Sequence, residues 1–150
     1  MNRVTVNMSF LIYNSITEEY FMPKFANPKL KIELVSGTTK RKLTATIDVS
    51  FDANEETFIK LVPTIRSKIR CQIMGSDSGF NGGNDHITWM TNQFINKDGQ
   101  VKFTKTVNAS SLDEDTVGAD EIIARFSCVN NSPVLFSPSS VDSPEISGDF

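Results

Sequence analysis

The chain has 150 residues, 39% of them apolar, enough for one ordinary domain with a real core and no need of a disulfide framework or a structural metal. The formal charge of -3 hides an asymmetry. Residues 1 to 105 carry 14 Lys/Arg against 10 Asp/Glu, a balance of +4, whereas residues 106 to 150 carry 1 against 8, a balance of -7. The body is expected to attract polyanions, and the acidic segment to compete for the same surface or to engage a neighbour.

Val4, Val6, Met8, Phe10 and Ile12 alternate with polar residues and predict a first strand, not the continuous apolar stretch of a signal peptide. Residues 14 to 28 read as a loop pinned by Tyr13, Tyr20, Phe21 and Phe25 and interrupted by Pro23 and Pro28. Leu30 to Leu34 and Leu43 to Phe51 then form a predicted β-hairpin around Ser36-Gly37-Thr38-Thr39. Its outward positions include Lys29 and Lys31, with Lys40, Arg41 and Lys42 beside the turn.

The period changes after Asp52: Phe58, Leu61, Val62 and Ile65 fall at helical spacing, with Asn54 as N-cap and Glu55 and Glu56 in the first turn. A short helix over residues 55 to 62 is expected to end at Pro63. Ile65, Ile69, Cys71 and Ile73 next alternate with Arg66, Lys68, Arg70 and Gln72, which predicts a strand with one buried and one basic face, its cations about 7 Å apart. If that strand lies beside the hairpin, Lys29, Lys31, Lys40, Arg41, Lys42, Arg66, Lys68 and Arg70 supply one polyanion-binding surface. Ordinary edge-strand protection accounts for the same charges equally well. Tyr20, Phe21 and Phe80 are the aromatic residues considered as stacking partners.

Residues 75 to 85 form a polar loop with Gly75, Gly79, Gly82 and Gly83, lacking the Lys-Ser/Thr ending of a P-loop. Asp77, Asn81 and Asp85 space oxygens without matching a calcium motif. His86 is the single histidine, no nucleophile accompanies it, and no cofactor or metal is expected. Ile87 to Ile95 and Val101 to Val107 predict a second hairpin around Asn96-Lys97-Asp98-Gly99, and Ile122, Ala124, Phe126 and Cys128 mark a last full strand after an acidic linker. From residue 130 the chain is Ser/Pro-rich and acidic, and Ser132, Ser137 and Ser143 each precede proline.

The expected fold is mainly β, an antiparallel sandwich-like domain of roughly six or seven strands with one short helix; a compact α+β fold is the alternative. Residues 1–129 are expected to form the domain and residues 130–150 a C-terminal arm. Cys71 and Cys128 read as core thiols, and no run approaches the roughly 18 apolar residues of a membrane span, so an intracellular location is expected. The passage through Ile47, Phe58, Leu61, Val62 and Ile69 is loosely similar to matrix proteins of negative-strand RNA viruses. The resemblance covers about a third of the chain and carries no diagnostic motif; the proline-tyrosine and Pro-Thr-Ala-Pro signals of such families are absent. Together these features suit a non-catalytic structural protein of the coat or matrix type that self-associates, becomes part of a virus particle and contacts nucleic acid or an anionic membrane. A monomeric adaptor that binds a protein partner through its loops or arm is the competing expectation.

Overall fold

The computed structural model describes residues 23–62, 66–76, 85–113, 119–130 and 140–150. The expected first strand, the aromatic loop before Pro23, Pro63, Ile65, most of the glycine loop, Ser132 and Ser137 lie outside them.

The expected β-rich sandwich is what forms: among the described residues there are two antiparallel sheets, one of three strands and one of six, with one α-helix between them in the chain. The first sheet joins β1 (Lys24–Leu34), β2 (Lys40–Ser50) and β6 (Gly99–Asn108), with β2 in the middle. In the second, β3 (Ser67–Gly75) pairs with β7 (Asp120–Asn130) along its length. Its borders are interrupted strands. On the β3 side β4 (His86–Trp89) and β5 (Gln93–Ile95) pair in turn with opposite ends of β3. On the β7 side β8 (Ser140–Asp142) and β9 (Ile146–Gly148) do the same, so part of the acidic arm is built into the sheet.

Strand alternation builds the core. Leu43, Ala45 and Ile47 of β2, Val101 and Phe103 of β6, Ile69, Cys71 and Ile73 of β3 and Ile122, Ala124 and Phe126 of β7 meet between the sheets, all nearly or fully buried. Phe103 and Phe126 touch across the gap with ring centroids 6.0 Å apart and planes tilted by 52°. Each of the Val, Leu, Ile and Phe side chains contributes about 1.5–3 kcal/mol by leaving water. Burial also pushes the Cys71 thiol up to about 12 and the Cys128 thiol up to about 11. Phe150 packs against the same core.

Four local expectations are corrected. β1 begins at Lys24, within the expected loop, and accommodates Pro28 at an irregularity between Ala26 and Lys29 where Asn27 takes φ 50°. An edge strand tolerates proline there because the missing N–H breaks no ladder on both sides. The helix, α1, runs Ala53–Leu61 and its N-cap is Asp52, not Asn54. Asp52 Oδ1 accepts from the backbone N–H groups of Asn54 and Glu55 at 2.9 Å, and Glu55 Oε2 accepts from the Asp52 N–H at 2.8 Å, a reciprocal capping box.

The buried helix residues are Glu55 and Ile59, Phe58 is half-buried and Leu61 is 63% exposed, so Ile59 and not the expected Leu61 is the helix's buried apolar residue. Finally, residues 87–107 are no hairpin. β4 and β5 pair with β3, and β6 pairs with β2. The Asn96–Gly99 segment is a corner between sheets, fixed by Asp98 Oδ1 accepting from Phe51 N–H at 2.8 Å and by the pairing of Gly99 with Val49.

Candidate polyanion interface

The register of the three-stranded sheet sets its outward face row by row. Glu33, Lys42 and Thr106 form one row; Lys31, Thr44 and Thr104 the next; Lys29, Thr46 and Lys102 the third; Ala26, Asp48 and Gln100 the fourth. Lys24 and Lys40 extend the same parity at the ends of β1 and β2. The alternation that buries Leu43, Ala45 and Ile47 obliges these residues to point the other way.

Both carboxylates on this face are engaged. Lys31 Nζ lies 2.7 Å from Glu33 Oε1, and that hydrogen bond, with the fields of Lys42 and Lys102, holds the Glu33 carboxyl below its ordinary value. Asp48 accepts from Asn27 Nδ2 at 2.8 Å and Gln100 Nε2 at 3.0 Å, and these bonds, with Lys29 nearby, hold its carboxyl low as well. What remains is a flat field of lysines and threonines with a positive balance. Ammonium groups are point charges without a fixed fork, so such a face suits repeated phosphate or sulfate groups and reads no sequence.

The eight expected cations do not form one surface. Lys29, Lys31, Lys40 and Lys42 share the outer face just described, which also gains Lys24 and Lys102. Arg41 has the core-facing parity of Leu43 and is partly buried. Lys68 and Arg70 stand on the outer face of the other sheet, across the sandwich, with exposed Arg66 just before β3. The separation follows from the crossover: α1 carries the chain from β2 to the opposite sheet, so β3 pairs with β7 and never meets the hairpin.

That second outer face has another character. Trp89 and Phe94 are 47% and 51% exposed, on the rows of Gln72 and Lys68. The Arg70 guanidinium lies 5.8 Å from the Trp89 ring centroid, and His86 is 5.6 Å from the same ring. Gln72 Nε2 is 2.9 Å from His86 Nδ1. Farther along, Arg125 clasps Asp142 through two bonds of 2.8 Å, which hold β8 to β7 and raise the Arg125 pKa. Sequence reasoning placed stacking residues at Tyr20, Phe21 and Phe80, all outside the described residues, and passed over Trp89 and Phe94. Their signal is present, since Phe94 alternates with the inward-facing Ile95.

Among the described residues no group of three or more His, Cys, Asp or Glu side chains comes together, and no helix is long and apolar enough to cross a membrane. Asp77 and Asn81 lie outside the described residues, and Asp85 is exposed beside β4. Ser143 is buried: its hydroxyl accepts from Ala124 N–H at 3.0 Å and donates to the Pro144 carbonyl at 2.9 Å.

No family model and no curated protein matches the chain. Among solved structures it is similar to the GH3 β-glucosidase of Bifidobacterium adolescentis, at 12% identity and a TM-score of 0.40 over 82% of this chain. It is also similar to β-glucosidase 3B of Thermotoga neapolitana, at 10% identity and a TM-score of 0.43 over 85% of this chain. In each case it spans 17% of the glucosidase. The putative ApaA protein of Bordetella pertussis is similar at 7% identity and a TM-score of 0.43, over 87% of this chain and 96% of that one. Likenesses at these scores carry nothing about activity.

Proposed function

We propose that the chain is a non-catalytic structural protein that self-associates and contacts a polyanion through the outer face of β1, β2 and β6. The observation that carries the reading is the row pattern in which Lys24, Lys29, Lys31, Lys40, Lys42 and Lys102 share one face whose two carboxylates are already hydrogen-bonded. Polyanion binding through such a face rests on counterion release, so it weakens steeply with salt. Self-association has its own support in β6, which among the described residues is a long border strand with no bulge in its register and no proline, the kind of edge a second copy can pair with. The coat or matrix type of role rests on the sequence resemblance of the β2–α1–β3 passage alone.

The test uses inorganic polyphosphate, a probe with charge and no bases. Lys29→Gln/Lys42→Gln/Lys102→Gln is expected to lower the slope of log affinity against log salt by about two, at roughly 0.7 per lost phosphate contact. Light-scattering mass, followed against protein concentration, is expected to rise with and without polyphosphate. Wild-type slope in the triple variant sinks the interface, and a constant monomer mass sinks the assembly role.

A further inference from the structure

We propose that the outer face of the β4–β5–β3 border is a stacking platform for a single-stranded nucleic acid, with Trp89 and Phe94 as base-stacking surfaces and, as phosphate partners, Arg70 between them and Lys68 beside Phe94. The site lies across the sandwich from the lysine face and does not rest on that reading.

The geometry begins with β3. Gln72, Arg70 and Lys68 are successive outward residues, and the pairing of Gln72 with Trp89 and of Lys68 with Phe94 sets the two rings beside the ends of this row. The rows are four residues apart along β3, or about 13 Å. Each aromatic residue is about half exposed although it belongs to a paired strand, while the neighbouring Ile87, Met90 and Ile95 turn toward the core. Large rings left in water at fixed spacing, with cations beside them, have the two elements that bind single strands: π faces for bases and positive charge for the backbone.

Charge selects the occupant. Arg66, Lys68 and Arg70 stand along this border, and the nearby Asp142 carboxylate is already taken by Arg125. A neutral glycan could stack on Trp89 but would leave the guanidinium beside it without an anion. A simple polyanion could satisfy Arg70 and Lys68 but would give Trp89 and Phe94 nothing to cover them. A single strand answers both. Arg70 is already over the Trp89 ring, so a phosphate drawn to its guanidinium brings the adjoining base close to the indole.

Trp89 is the single tryptophan of the chain, so its fluorescence reports the site directly. The full chain would be titrated with a short oligothymidylate, an abasic deoxyribose-phosphate strand of equal length, and heparin. Saturable quenching by oligothymidylate, and not by the other two, is the expected result. The affinity for labelled oligothymidylate should fall about tenfold in Trp89→Ala and again in Phe94→Ala. Quenching should persist in Lys29→Gln/Lys42→Gln/Lys102→Gln. The proposal is overturned by absent quenching, by equal quenching with the abasic strand or heparin, or by wild-type affinity in a Trp89→Ala/Phe94→Ala protein that melts as the wild type does. Binding that disappears only in the lysine variant, with Trp89 unquenched, removes this site and leaves the lysine face standing. A ligand-free, concentration-dependent shift of Trp89 emission would instead mean that a second copy covers the platform.

Discussion

The two outer faces of the sandwich are made by the same rule and come out chemically different. In both, alternation along the strands sends one parity into the core and the other into water. On the three-stranded sheet the outward parity is mostly lysine and threonine, on long strands whose rows run from β1 through β2 to β6 with one register shift in β1, between Ala26 and Lys29. On the six-stranded sheet the outward parity mixes Arg70, Lys68, Gln72, Trp89 and Phe94, and the borders are broken into short pieces. A continuous strand repeats one environment and so accumulates one kind of charge. A broken border exposes side chains on short strands, Trp89 at the end of β4 and Phe94 in the middle of β5. The lesson is that sheet regularity favours a uniform electrostatic surface, whereas interruption favours discrete contacts.

The change expected to break the comparison altogether is in the wall the faces share. Phe126→Ala or Phe103→Ala removes one ring of the tilted pair between the sheets and should cost about 3–5 kcal/mol, read by chemical denaturation. Because these rings hold the two sheets together, both ligand responses should fail at the same denaturant concentration. If the Trp89 signal and the polyphosphate response were lost at clearly different concentrations, the sheets would be separable units and the shared-core account would be wrong.

Much of this arrangement was legible in the residues. β3 and β7 alternate between strongly apolar and strongly polar side chains, and both strands form where that pattern lies. The capping box was also legible as Asp52-x-x-Glu55, although Asn54 is an equally capable cap residue two positions later. What local sequence does not contain is sheet membership. Alternation tells which residues share a face of one strand, as Lys68 and Arg70 do on β3, but not which strand lies next to it. Likewise Asn96-Lys97-Asp98-Gly99 has turn chemistry that serves a hairpin or a corner, and the bond from Phe51 N–H to Asp98 selects the corner. Trp89 was harder still, because the register shift between Ile73 and Met74 disturbs the alternation of β4.

Smaller changes sharpen the contrast one side at a time. Asp52→Ala removes the acceptor of two backbone bonds at the start of the crossover helix and should cost about 1 kcal/mol, within the 0.5–2 kcal/mol range of cap deletions. It should lower stability while leaving polyphosphate affinity unchanged, because no lysine of the outer face touches the cap. A selective loss of polyphosphate binding would tie the helix to the lysine face, contrary to the geometry. Arg125→Ala acts on the other sheet, where the clasp with Asp142 is more than a third exposed on the aspartate side, and should cost about 0.5 kcal/mol. Its readout is hydrogen exchange in β8, expected to quicken while exchange in β2 and β6 does not.

The smallest effect belongs to Glu33 and Asp48, and it isolates the lysine face from everything else. Both carboxyls are held below their ordinary values, Glu33 first by the Lys31 hydrogen bond and Asp48 first by those from Asn27 and Gln100. A depressed folded-state value means that the stabilisation is present above the ordinary carboxylate range and is lost as pH falls through the depressed values. Protonation there also removes the negative charges of this face, so polyphosphate affinity should rise in that same acidic window. Glu33→Gln/Asp48→Asn should reproduce the gain at neutral pH and flatten the acidic rise. The Trp89 response to oligothymidylate should not follow the substitution, because neither carboxylate faces that border. If the double variant binds polyphosphate as the wild type does, the anion is not reading the charge of the three-stranded sheet, and its lysines are there to keep the sheet from pairing with its neighbours.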